Sequence, residues 1–364
     1  MHRDDRNSIL LLGPAHFAVD LSCTAALTLL AGGLPVWQVT ACAILYNGLA
    51  FAFQLPVGAI GDLRRLHRGL AALGCALVAV GMWIGNPLPA AAVMGLGNAC
   101  FHVGGGRESL KRGGAKAAPV GRFVAPGAVG IFLGPRIAGL TVLVKWILPL
   151  CLLALALLFI RTRAAGEAAE QESIAACAAA RGRLTLIAGC MFLTVLLRSY
   201  MGTVLRYPFL SDSGWALLYT VCIFGGKYLG GILADRFGAV KFSVTAQTLA
   251  TVLFALSPAV PLLAFPAIFL FNSTMAVTAW KLYTCLPRYP GTMFGLTTFA
   301  LYLGVLPKLL GLEIGGFSWW GLGLLSLVSG VLLVVGLLLG KEAGEDDTGD
   351  CQIADSVPGA DAGV

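Results

Sequence analysis

The chain has 364 residues, of which 58% are hydrophobic and only 12% are charged, and its mean hydropathy is +0.85. Soluble globular domains carry about 25% charged residues, so this composition argues against a soluble enzyme, a nucleic-acid-binding protein and a disordered chain. The net charge of +7 is unevenly distributed, because residues 341–364 hold seven acids and one lysine. We interpret the chain as a polytopic membrane protein.

Twelve apolar runs are long enough to cross a bilayer as helices of about 20 residues. They lie near 8–31, 37–60, 69–86, 88–105, 118–135 and 138–160, and then near 184–207, 213–234, 239–257, 259–280, 290–310 and 318–340. The predicted fold class is therefore all-α, with 12 transmembrane helices in two six-helix bundles.

The bundles are predicted at residues 1–160 and 184–340. Between them, residues 161–183 are interpreted as a cytoplasmic connector, and residues 341–364 as an acidic disordered tail. The glycines at 104–106 lie at the end of the fourth apolar run, and we expect them to form a flexible exit into a basic loop.

Charge placement predicts the orientation. Most lysines and arginines lie at the termini or in alternate connections, whereas the connections 32–36, 86–89 and 257–261 contain none. By the positive-inside rule, both termini are cytoplasmic, and the protein is an integral multi-pass protein of the inner or plasma membrane.

One short motif occurs twice, between the second and third spans of each half. The second copy reads GILADRFG and the first reads GAIGDLRRLHR, with their aspartates about half a chain length apart. Small residues allow helices to approach closely, and an aspartate accepts hydrogen bonds at a neighbouring helix N-terminus. The pattern resembles the signature loop of the major facilitator superfamily, which implies two pseudo-symmetric bundles. Its residues here are Gly58, Asp62, Arg64, Gly231, Asp235, Arg236 and Gly238.

Further short matches resemble the fosmidomycin-resistance branch of that superfamily. They are HFAVD in span 1, FH in span 4, LRSY in span 7 and PRYPG between spans 10 and 11. The sequence GIFLGP in span 5, with Gly130, Gly134 and Pro135, is similar to the glycine–proline signature of superfamily antiporters. This resemblance implies a proton-driven exporter that alternates access between its two bundles.

Asp20 is the acid placed deepest within a predicted span, about 17 Å from the cytoplasmic face at about 1.5 Å per residue. His16 lies one helical turn earlier on the same face. A carboxyl group removed from water favours its protonated form, so we expect Asp20 and His16 to carry the coupling proton. The alternative for Asp20 is a fixed ion pair or interhelical hydrogen bond, and His16 is equally consistent with a packing role.

Cations outnumber acids in the predicted interior, which favours an anionic substrate. Arg198 lies at a depth similar to that of Asp20, and we hypothesise that it alternates between Asp20 and substrate as Asp20 changes protonation. The alternative for Lys281 is that it reaches the membrane interface, and single amides often bond neighbouring helices. The substrate-binding candidates are Arg198, Lys227, Lys281, Asn47, Asn98 and His102.

The predicted function is secondary active transport by alternating access, as proton-coupled efflux of a small anionic or amphiphilic compound. The alternatives are uptake by symport of an organic anion and a non-transporting receptor or assembly factor on the same scaffold. We expect no enzyme activity, because the sequence carries no metalloprotease motif and no nucleophile elbow. We also expect no cofactor, no metal and no nucleic-acid partner, and a monomer in the lipid bilayer.

Overall fold

The computed structural model describes residues 3–64, 69–161, 178–205, 207–312 and 319–354. Within these ranges the regular secondary structure is helical, and a helix covers each of the twelve predicted spans. Most of the predicted connector, the end of the predicted tail and two basic residues of the first signature loop, Arg65 and Arg68, lie outside the described residues.

Six helices form the first half of the chain. They are α1 (Arg3–Ala31), α2 (Val36–Arg64), α3 (Leu70–Trp83), α4 (Pro87–Gly113), α5 (Ala118–Ile137) and α6 (Leu143–Arg161). A π-helical turn at Gly48–Ala52 interrupts α2, and another at Leu143–Ile147 begins α6.

Six further helices form the second half. They are α7 (Ala178–Val204), α8 (Ser213–Phe237), α9 (Ala239–Leu256), α10 (Pro261–Cys285), α11 (Pro290–Leu309) and α12 (Trp319–Ala354). Thr274 interrupts α10 between two shorter helices, Ala264–Ser273 and Met275–Cys285. The last helix continues past Lys341, where the sequence predicts the start of the acidic tail.

Nine of the described helices are long and apolar enough to cross a membrane. The other three are neighbours in the first half. Helix α3 is apolar but has only 14 residues, whereas α4 and α5 are rich in glycine, and α4 also carries several buried polar side chains. Helices α4 and α5 therefore contribute glycines to the packing, and α4 contributes buried polar groups as well.

The fourth helix is longer than the sequence predicts. Its glycines at 104–106 are helical and buried, not a flexible exit, and they pack against Ala71, Phe123 and Phe294. The helix continues because the next charges are compensated locally. The guanidinium of Arg107, 1% exposed, lies 2.6 Å from Oε1 of Glu108, and Arg112 bonds the other oxygen of that carboxylate.

The two halves repeat the same packing. Helix α1 packs on α5 as α7 packs on α11, and α3 contacts α4 and α6 as α9 contacts α10 and α12. Across the seam between the halves, α5 packs on α8, and α11 packs on α2. Each of these contacts in the first half therefore has a counterpart in the second, as expected for two pseudo-symmetric bundles.

Each signature-loop aspartate caps a helix of the opposite half. Asp62 accepts hydrogen bonds from the backbone N–H groups of Gly291 and Thr292, at 3.1 and 2.7 Å, at the start of α11. Asp235 accepts from Ala117 and Ala118, at 2.8 and 3.0 Å, at the start of α5. The first loop makes this contact although Leu63 stands where the signature has a cation.

Glycines bring the helix backbones together at the same end of the molecule. A Cβ atom at Gly58 would overlap the carbonyl group of Gly291, and one at Gly231 would crowd the backbone of Ala117. Side-chain hydrogen bonds also join the halves at this signature-loop end. The seam is therefore closed there.

Because α2 and α11 touch through bare glycine backbone, we expect Gly58→Ala to lower the stability of the protein by about 1–3 kcal/mol, the usual cost of overpacking. The thermal unfolding midpoint in detergent measures this effect. Gly189→Ala is the matched control, because Gly189 is helical with open space around it, where alanine favours the helix by up to about 1 kcal/mol. Equal midpoints for the two variants would contradict a tight seam.

Candidate functional site

The interior of the first half is built on a close contact between α1 and α5. A Cβ at Gly127 would overlap Nε2 of His16 and crowd Oδ2 of Asp20, and one at Gly134 would overlap the hydroxyl of Thr24. Gly130 lies equally close to the backbone of α1. The absence of side chains along this face of α5 leaves room for the polar groups of α1.

Four polar side chains predicted from the sequence meet in this interior, from α1 and α4. Nε2 of His16 lies 3.0 Å from Oδ2 of Asp20 and 2.8 Å from Nε2 of His102. The side-chain amide of Asn98 donates to the other carboxylate oxygen of Asp20 at 3.1 Å. All four side chains are buried, Asp20 being 6% exposed.

Backbone carbonyl groups determine which ring nitrogens carry hydrogen. Nδ1 of His16 lies 2.7 Å from the carbonyl oxygen of Phe123, and Nδ1 of His102 lies 2.9 Å from that of Asn98. A carbonyl oxygen only accepts hydrogen bonds, so both Nδ1 atoms are donors. In two neutral rings the Nε2 lone pairs would then face each other and the Asp20 carboxylate.

This arrangement requires one positive charge. An additional proton at Nε2 of one histidine turns the 2.8 Å contact into a hydrogen bond, and it compensates the buried carboxylate, which is costly without a partner. The same residues could also bind a metal ion, because one ligand atom each of His16, Asp20 and His102 lies within 4.8 Å of the other two. Histidines that bind metals commonly donate the other ring N–H to a carbonyl. The group of His16, Asp20 and His102, which we call the triad, is thus suited to hold a cation.

A second polar cluster lies in the other half, where α7, α9 and α10 meet. Arg198, 5% exposed, donates through Nη2 to the hydroxyl of Thr274 at 2.6 Å. The side-chain amide of Gln247 donates to the same hydroxyl at 2.9 Å. The guanidinium of Arg198 also lies 5.6 Å from the centre of the Phe271 ring.

Lys227 connects the two clusters electrostatically, because it is close enough to interact with both Asp20 and Arg198. Its backbone carbonyl abuts Gly121 of α5 across the seam. Within the described residues no salt bridge joins Asp20 to Arg198, and the described hydrogen bond of Arg198 goes to Thr274. In this conformation the triad and the guanidinium are therefore separate.

Two predicted substrate-binding residues lie elsewhere. The side-chain amide of Asn47 donates to the carbonyl of Ala43 in its own helix at 2.8 Å. The ammonium of Lys281 lies where a side chain at Gly340 of α12 would be, which agrees with a lysine near a helix end. Gln247 and Thr274 were not predicted as site residues from the sequence. The uncharged polar residues at 272–274, inside an apolar run, were a signal that could have identified Thr274.

No family model matches the chain, and no curated protein matches it by sequence. Its fold is similar to solved transporters. One is a variant of the E. coli fucose:proton symporter FucP, with 14% identity, a TM-score of 0.64 and coverage of 93% of this chain and 99% of that one. Another is the Major Facilitator Superfamily transporter FucP in the outward conformation, with 16% identity, a TM-score of 0.65 and the same coverage.

A third similar structure is that of the human organic anion transporter MFSD10 (TETRAN), with 15% identity, a TM-score of 0.63 and coverage of 93% of this chain and all of that one. The chain therefore has the fold of major facilitator transporters, as the two signature loops predict.

The histidine geometry gives a spectroscopic expectation. The chain has four histidines, so a variant with His2→Gln and His67→Gln retains only the two of the triad. In ¹⁵N-histidine NMR spectra we expect both Nδ1 atoms to be protonated and the two Nε2 atoms to share one further proton. A ring with a bare Nδ1 would contradict the assignment of donors to the carbonyl groups of Phe123 and Asn98.

Proposed function

We propose that the protein is a proton-coupled secondary transporter that exports a small anionic or amphiphilic compound by alternating access. The observation that carries the proposal is the triad, in which two imidazoles point Nε2 at each other beside a buried carboxylate. Such a group is stable with one excess proton and is left with an uncompensated carboxylate when that proton leaves. A site of this kind can load and release a coupling ion.

The closed seam at the signature-loop end supports alternating access. The helix caps made by Asp62 and Asp235 hold the halves together at one end, and a similar solved structure is described as an outward conformation. If both termini are cytoplasmic, as the charge pattern predicts, this end faces the cytoplasm and the state faces outward. We propose that the protein works as a monomer, since both sites lie within one chain.

The cations of the second half support an anionic substrate. Between residues 178 and 340, the acids among the described residues are Asp212 and Asp235, both at ends of α8. The second half therefore places no carboxylate of its own beside Arg198 and Lys227, and the acid that Lys227 interacts with is Asp20 of the first half. A pump for cations would place its surplus acids there. The fold is that of transporters, and it supports transport over an enzymatic role.

Export is proposed on the resemblance to the fosmidomycin-resistance branch, which rests on motifs such as HFAVD around His16 and LRSY around Arg198. The glycine–proline signature at Gly130, Gly134 and Pro135, which resembles that of superfamily antiporters, favours the same direction. Uptake by symport is the second candidate, because one similar structure is a fucose:proton symporter. The two directions use the same proton site and the same cations, and they differ in whether proton and substrate bind together or in alternation.

Asp20→Asn tests the coupling. The amide keeps the size of the carboxyl group but needs no proton, so we expect a pH gradient to lose its effect on transport. Proteoliposomes loaded with radiolabelled benzoate or lactate are exposed to a medium one pH unit more acidic. A difference of one pH unit supplies about 1.4 kcal/mol per proton. We therefore expect a roughly tenfold change in the ratio of internal to external anion with the parent protein and no change with the variant.

Asp212→Asn is the matched control, because Asp212 caps the start of α8 at an exposed position and asparagine caps a helix equally well. The control is expected to keep the response of the parent. Gradient-driven flux that survives in Asp20→Asn would remove the triad as the proton site. If the purified parent contained a stoichiometric metal ion that Asp20→Asn lacked, the coupling ion would be a metal cation and not a proton.

A further inference from the structure

The interruption of α10 brings a backbone discontinuity into the interior of the second half. Thr274 separates the two helical segments of α10, and both Ser273 and Thr274 are fully buried. The break is held closely against α8, because a Cβ at Gly230 would overlap the carbonyl of Ser273. Interrupted membrane helices of this kind often form the binding sites of transporters.

The hydroxyl of Thr274 is fully used at this break. Its oxygen accepts from Nη2 of Arg198 and from the amide of Gln247, and its hydrogen is directed at the carbonyl of Phe271 at 3.3 Å. One neutral oxygen therefore orients two side chains from two other helices, and it has no capacity left for a ligand.

The two oriented side chains are incompletely satisfied. Within the described part of the chain, Nε and Nη1 of Arg198 and Oε1 of Gln247 are buried without a hydrogen-bond partner. The guanidinium of Arg198 is buried with a neutral hydroxyl as its hydrogen-bond partner. It has lost much of its hydration without gaining a counter-charge, which is costly. An anion beside Arg198 would supply the missing charge and the missing acceptors.

We propose that this cluster, which we call the α10 break site, binds the carboxylate of a substrate that carries a hydroxyl or amino group next to it. This inference rests on the proposed transport function and assigns Gln247 and Thr274 to it. A planar carboxylate matches the donors of a guanidinium. The unpaired Oε1 of Gln247 accepts the hydrogen bond from the adjacent hydroxyl or amino group.

The division of roles follows from the contacts. Arg198 binds the carboxylate through the N–H groups that are free, and Gln247 selects for the neighbouring donor. Thr274 touches no substrate in this scheme and acts as a positioning residue, because its hydroxyl holds the other two side chains. Apolar contacts for the rest of the molecule are available at Phe271, against which Arg198 already packs.

The first test compares ligands. Thermal unfolding midpoints of the purified protein are measured with sodium lactate, sodium propionate and sodium chloride at equal ionic strength. We expect lactate to bind about tenfold more tightly than propionate, the equivalent of one hydrogen bond of about 1.4 kcal/mol, and chloride to have no specific effect. Equal affinities for lactate and propionate would overturn the role of Gln247.

The second test compares variants. Thr274→Val is expected to weaken lactate binding about tenfold, and Thr274→Ser to restore it, since serine keeps the hydroxyl. Arg198→Lys keeps the charge but loses the planar donor set, and a loss of about 100-fold is expected. Unchanged lactate affinity in Arg198→Lys would overturn the site.

The most discriminating variant is Gln247→Glu, which places a carboxylate of the protein where the ligand is expected. We expect it to raise the unfolding midpoint by pairing with Arg198 and to abolish the effect of lactate. Gln54→Glu is the matched control, because Gln54 is a buried glutamine of α2 bonded to the carbonyl of Ala50, and burial of a new charge there lowers the midpoint. A lower midpoint in both variants would count against an anion site.

The outcomes also separate this inference from the proposed function. If the parent shows pH-driven anion flux while Gln247 and Thr274 variants keep its selectivity, the break site is wrong and the transport function stands. If the parent binds lactate and the variants respond as expected but no flux follows a pH gradient, the site stands and proton-coupled transport fails.

Discussion

The organisation of the interior depends on the burial of one carboxylate. A charged group inside a membrane protein has to be compensated within the protein, and Asp20 obtains its compensation from two imidazoles and one amide. The two imidazoles are in turn fixed by backbone carbonyl groups of α4 and α5. The position of three helices is thereby linked to the protonation of one small group.

Glycine makes this linkage possible. The face of α5 that meets α1 is bare at 127, 130 and 134, so polar side chains of α1 occupy the volume that side chains of α5 would otherwise fill. The same device recurs at the seam, where Gly58 meets Gly291. Without a hydrophobic force between helices in lipid, close packing and hydrogen bonds determine which helices associate.

Much of the fold was predictable, because spans, repeats and loop charges are one-dimensional signals. The same holds for His16 and Asp20, whose spacing of one helical turn requires them to share a face. The limits appear at α4, where glycines and charges suggested a loop. Helical burial of Arg107 depends on its contact with the carboxylate of Glu108, and hydropathy alone gives no information on such a contact.

Which side chains meet across the interior was harder to predict than how deep in the membrane each one lies. Counting residues placed Arg198 level with Asp20, but a depth does not specify the direction of a side chain around its helix. Arg198 is oriented by Thr274, and Thr274 is available because α10 is interrupted there. Helix interruptions of this kind depend on close neighbours, here Gly230 of α8. A single sequence does not show that Gly230 lies beside the interruption.

The reciprocal caps at the seam have a consequence for how the two halves depend on each other. Backbone N–H groups at the start of α5 donate hydrogen bonds to Asp235 of the second half, and those at the start of α11 donate to Asp62 of the first half. Neither half on its own provides these acceptors at the starts of α5 and α11. Biogenesis is thus expected to be complete only after the last helices have been inserted, and polypeptides truncated between the bundles would present unsatisfied amides to quality-control proteases.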